Sequence, residues 1–114
     1  MPPDRSPVRL FTTDLPGADA GPIRLGGIVT ASAVSGANLL RDMREAITNT
    51  IGGPMTRYER LLDDTIARAF ETLSARAAAA GYDGVVAIRI SHPAITDGAI
   101  EVVVCGTGYH NLVA

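Results

Sequence analysis

Three side chains in this 114-residue sequence have the chemistry to hold a soft metal ion: Cys105, His92 and His110. A structural zinc site takes four nitrogen or sulfur ligands, ordinarily supplied as close pairs such as Cys-x2-Cys or His-x3-His. No such pair occurs here. Cys105 falls in an apolar run and reads first as a buried, inert thiol. His92 precedes Pro93 at a strand end and reads as a surface residue, and His110 lies in the C-terminal tail and reads as solvated. A metal ion would need a symmetric oligomer that brings one ligand from each copy to its axis. No resident metal or cofactor is expected.

A second constellation is Gly36, Asn38, Arg41 and Asp42. A strand end, a glycine turn and a helix N-terminus together make a corner that suits an anion, with free N–H groups and an arginine close by. The plainer reading accounts for the same residues structurally. Gly36 makes the turn, Asn38 caps, Asp42 complements the helix dipole, and Arg41 pairs with Glu45 or a neighbouring subunit. Tyr58 and Glu59 divide in the same way, as core anchor and capping box on one reading and as ligand contacts on the other.

Catalysis finds little footing. The phosphate-loop, dinucleotide, zinc-protease and nucleophile-elbow patterns are all missing. No spacing sets His92 or His110 beside a serine, a threonine or Cys105 as a nucleophile–base pair. Asp63 and Asp64 are adjacent, so on a helix they diverge by about 100° and form no carboxylate dyad. The arginines are interleaved with acids, and two phenylalanines and three tyrosines give no stacking platform for nucleic acid.

The elements that must position these residues follow from periodicity. Residues 1–7 hold three prolines and predict a mobile arm, and residues 8–114 predict a single domain. Val8–Thr13 is rich in strand formers, 15–22 in turn residues, and a second strand runs from about Ile23 to Val34. Gly26-Gly27 within it predicts a bulge or a close backbone approach. Leu39, Leu40, Met43, Ile47 and Ile51 describe an amphipathic helix that Gly52-Gly53-Pro54 should end. Thr56-x-x-Glu59 is a capping-box pattern opening a second helix. On that helix Tyr58, Leu61, Leu62, Ile66, Ala69, Phe70, Leu73 and Ala77 form one apolar stripe, and Gly81 supplies a left-handed stop. An Asp64–Arg68 pair is expected along its polar side. Truncating Phe70 to alanine should therefore cost ~3–5 kcal/mol, whereas Arg68→Ala should be nearly silent. Val85–Ser91 reads as a central strand and Ile100–Gly106 as its hairpin return, with 107–114 extending it or loose. A one-residue shift of that hairpin decides which way Cys105 faces.

The β-β-α-α-β-β order predicts an α+β protein, a small antiparallel sheet packed on one long and one short helix. Apolar residues are 46% and charged residues 19%, which excludes a disordered or acidic solvating chain. The net charge of −2 offers nothing to draw in nucleic acid or an anionic membrane. No apolar run approaches the ~20 residues of a membrane span, and the opening residues lack a secretory profile. A lone cysteine fits the reducing cytoplasm. The second and third strands carry more apolar residues than one helical layer can cover, at about 25 cal/mol per Å2 of apolar surface left wet. Another copy of the chain is expected against the sheet's outer face or edges, making a homo-oligomer.

With the elements in order, Gly27-Ile28-Val29-Thr30, Gly36-Ala37-Asn38-Leu39-Leu40-Arg41-Asp42, Ile51-Gly52-Gly53, Tyr58-Glu59, Gly81-Tyr82-Asp83-Gly84-Val85-Val86 and Gly106-Thr107 resemble the YbjQ family, also called UPF0145 or DUF74 and labelled "putative heavy-metal-binding". The resemblance covers roughly Gly26 to Thr107. It implies a dodecin-like two-layer unit assembled as a ring, a pentamer, with any small ligand unknown. The sequence departs from the family pattern where a basic residue is usual (Pro54) and where glycines are usual (Ala31 and Ala87). It departs again beyond the third strand, at Arg89, Ser91 and His92.

Overall fold

The computed structural model describes residues 7–35, 53–93 and 99–112. They form β1 (Arg9–Leu10), a 3-10 turn at Ala18–Ala20, β2 (Ile23–Ser35), α1 (Gly53–Ala79), β3 (Gly84–Ser91) and β4 (Ile100–Asn111). The sheet order is β1-β3-β4-β2. β4 pairs antiparallel with both neighbours, but β1 runs parallel to β3, so the sheet is mixed and not purely antiparallel. The chain can make that parallel pairing because β2 and α1 intervene as a long crossover. Backbone bonds carry the β1 segment along β3 as far as Thr13, although the regular strand is two residues long.

The expected helix from Leu39 to Ile51 lies outside the described residues. Gly53-Pro54 do not close a preceding helix but open α1, where proline's fixed φ and missing N–H are tolerated in a first turn. Thr56 is therefore inside α1 and is no N-cap, which removes the capping box. The other end is as the sequence predicts. Gly81 takes φ +85°, its N–H donates to Ala78 O at 3.0 Å, and the Tyr82 N–H donates to Ala77 O at 3.0 Å. This is the paired closure that a left-handed glycine permits.

The core lies between α1 and one face of the sheet. Ala69, Leu73 and Ala77 meet Val29, Ala31 and Ala33 of β2, Val85 and Ile88 of β3, and Val102 and Val104 of β4. Thr65 sits fully buried at the centre of the helical stripe. It is satisfied by a polar chain: Arg68 donates to Ser35 Oγ (3.2 Å), Ser35 bonds Thr65 Oγ1 (2.5 Å), and Thr65 donates to Leu61 O (2.7 Å). Arg68 is thus spent on the end of β2 and not on Asp64, so its removal will not be silent. Phe70 is only half-buried, which lowers the expected cost of truncating it.

Each of β3 and β4's neighbour β2 carries a bulge. Gly26 and Gly27 stand opposite Gly108, and Ala87 and Ile88 stand opposite Gly106. Ala87 holds φ +55°, the only described non-glycine residue in the left-handed region. A β-carbon there costs about 1–2 kcal/mol relative to an unstrained residue.

Candidate functional site

Two tyrosines organise the end of the sheet where α1 delivers its last turn. Tyr82 leaves the helix through the Gly81 closure and lays its ring over Gly26 and Gly108, where a β-carbon at either would collide with it. Its hydroxyl accepts the Gly27 N–H at 2.7 Å, and His110 lies 5.0 Å away, ring to ring. On the opposite face Tyr109 covers Gly84, whose missing β-carbon would sit 2.5 Å from the ring. Tyr109 is almost wholly buried. Burial pushes its phenol upward, and the Asp83 and Asp19 carboxylates add to this while Arg9 opposes it. Gly26-Gly27 was legible as a signal of a bulge or close backbone approach, and Gly108 was not. That tyrosine rings occupy the space these glycines leave was not legible either, because the partners are far apart in sequence.

Beside Tyr82 an open cavity of about 670 Å3 is lined by Val8, Arg9, Glu71, Ser74 and Asp83 among others. Asp83 is already engaged, accepting the Asn111 N–H at 2.7 Å. Arg9 is also engaged, paired with Asp19 at 3.1 Å and lying over the Phe11 ring. Ser74 has no histidine beside it among the described lining residues.

The predicted anion corner of Gly36, Asn38, Arg41 and Asp42 lies outside the described residues. Tyr58 belongs to α1, with its side chain outside the described set, and Glu59 is exposed on the early turns of that helix. The metal candidates are not brought together. Cys105 stands in register with Thr30 and Arg89 on the face away from α1, and it is exposed, not buried. His110 is held in β4, not solvated in a loose tail, and it faces the helix side against Tyr82. His92 is exposed just past β3. Among the described residues no three His, Cys, Asp or Glu side chains gather. Within one chain this donor set does not fit a heavy-metal ion, because Cys105 and His110 lie on opposite sides of the sheet. No helix among the described residues is long and apolar enough to cross a membrane.

The face that carries Cys105 is the one left open. Leu25, Ile28 and Val34 of β2 are 58%, 81% and 53% exposed there, interleaved with exposed Thr30 and Ser32. Polar side chains thus dilute the apolar surface expected of β2. On β3 the expectation of two greasy faces is met only near Val86, which is buried.

Comparison with known proteins bears on this arrangement. The YbjQ family model, described as "Putative heavy-metal-binding", matches residues 10–110. A UPF0145 protein from Shewanella frigidimarina is 34% identical over 96 residues, 84% of this chain and 88% of the relative. Another, from a Synechococcus species, is 37% identical over 81 residues, 71% of this chain and 78% of the relative. A crystal structure of a Pediococcus pentosaceus protein of unknown function, assigned to the DUF74 family, aligns with a TM-score of 0.60 at 15% identity. It covers 91% of this chain and 97% of that one. Likeness at that identity establishes the fold alone.

Proposed function

The chain belongs to the YbjQ (UPF0145) family, and from that premise we propose that it works as a cytoplasmic, non-enzymatic homo-oligomer, a ring whose subunits serve as a binding or scaffold module. The observation that carries this reading is Ile28, 81% exposed in the middle of a long strand and flanked on the same face by exposed Leu25 and Val34. Apolar side chains in that position forgo about 25 cal/mol for each Å2 left in water. A sister chain laid over the face recovers it. A ring requires a head-to-tail contact between two different surfaces, and closes when the rotation per subunit closes. Size-exclusion chromatography with light scattering should report a multiple of 11.9 kDa at micromolar concentration. Ile28→Asp should shift that mass toward the monomer. A stable wild-type monomer would overturn the reading.

A second reading, a thiophilic metal ion held between subunits, is favoured by one feature: the free Cys105 thiol sits on that same open face. Subunits that turn this face toward a common symmetry axis would gather several thiolates there, the ligand type that soft ions select. Titration with zinc or copper(I) should then release heat in the oligomer and fail in Cys105→Ser. Silence in the wild type removes this reading and leaves the oligomer untouched.

A further inference from the structure

Among the described residues β2 is an edge strand, and its backbone decides what could lie beside it. The Arg9 N–H donates to Asp83 O at 3.3 Å and the Phe11 N–H to Val85 O at 2.9 Å, so Val85 turns toward β1, as does the Asp83 carbonyl, while the Asp83 N–H donates to Tyr109 O of β4 at 2.9 Å. Gly84 and Val86 then turn toward β4. Alternation along the two registers turns Val29, Ala31, Ala33 and Ser35 toward β4 as well. The N–H and C=O groups of Ile28, Thr30, Ser32 and Val34 point out of the sheet.

Two of those carbonyls are taken by the helix. Arg76 Nη1 donates to Thr30 O at 2.9 Å, and Arg68 Nη2 donates to Val34 O at 3.3 Å. The spacing is matched, since Arg68 to Arg76 advances about 12 Å along a helix and Thr30 to Val34 about 13 Å along a strand. Both arginines are exposed, and each guanidinium carries five N–H donors, few of which are used here. The outward N–H groups of Thr30, Ser32 and Val34 have no partner among the described residues. The edge therefore presents donors and positive charge with half its acceptors consumed. Two copies pairing β2 to β2 would line four guanidinium groups along one seam, which like-charge repulsion opposes.

We propose that the edge from Ile28 to Val34 docks an extended, acidic segment of another protein by strand addition. Carboxylates of that segment lie on the side of Arg68 and Arg76, and its alternate apolar side chains continue the row of Ile28 and Val34. The docking groups are the edge's outward backbone N–H groups and the two arginines on the α1 side; Ile28 and Val34 are shared with the assembly face, so the assembly mass of Ser32→Pro tells the two readings apart.

The probe is a fluorescein-labelled heptapeptide alternating glutamate with valine, set against a counterpart with lysine for each glutamate, by anisotropy with the full chain. Saturable binding of the glutamate peptide alone is expected, weakened at about 0.5 M salt. Arg76→Gln should weaken it about fivefold or more. Ser32→Pro deletes an outward donor without touching the ladder, and should abolish binding while the far-UV circular dichroism is kept. Equal binding of the lysine peptide, no saturable binding, or indifference to both folded variants would overturn the proposal. A drop in assembly mass in Ser32→Pro would also overturn it, by assigning the edge to a second copy. Should either variant unfold, the contrast between the two peptides on the unaltered chain decides.

Discussion

Ala87 is the residue that works against its own backbone. At φ +55° its methyl group is strained, yet the bulge fixes it through the Ala87 N–H, which donates to Thr13 O at 2.7 Å. Ala87→Gly should raise the unfolding free energy by about 1 kcal/mol, measured by urea denaturation. No gain would mean that the unfolded chain's added freedom cancels the relief. Tyr109 makes a prediction in pH. Burial raises its phenol above the ordinary 10.0, so the folded state holds the proton more tightly than the unfolded one. The stability tied to the neutral phenol is complete below pH 10 and is lost as pH climbs through the folded value. Tyr109→Phe should flatten that alkaline decline in a thermal-melt series. At this scale the sequence revealed Gly81 and the Gly26-Gly27 bulge, because a glycine announces unusual backbone. It misplaced Cys105 and Arg68, whose surroundings depend on strands and helices meeting across distances no local pattern encodes.

Among the elements, α1 was the most legible, since its apolar period repeats over many turns. Its centre was not fully apparent, because Thr65 is polar and is buried only through Ser35 and Leu61. Leu73 is fully buried on that stripe and Phe70 is not. Leu73→Ala should therefore cost about 2–5 kcal/mol and Phe70→Ala about 2 kcal/mol, by chemical denaturation. The reverse ranking would place the wrong face against the sheet. The parallel pairing of β1 escaped the sequence for a physical reason. A strand of two residues has no register signal of its own, and its partner lies across β2 and α1. The expected anion corner sits between β2 and α1 in sequence, where turn and cap roles already account for three of its four residues.

At the level of the whole molecule, the sheet is half sheltered. One face is closed by α1. Among the described residues the other is closed toward Tyr109 and Val86, and Leu25, Ile28 and Val34 are exposed along it. The exposed apolar surface lies mostly on β2, with Ile90 the exposed large apolar residue of β3. The pairing of tyrosine rings with glycines has an optical corollary. Tryptophan is absent and there are three tyrosines, so aromatic dichroism near 275 nm arises mainly from a few phenols. Two of these are wedged on opposite sides of the same sheet, in asymmetric surroundings that a molten state would erase. Tyr82→Phe and Tyr109→Phe should each remove a separable part of that band, so one spectrum reports whether each side of the sheet is intact.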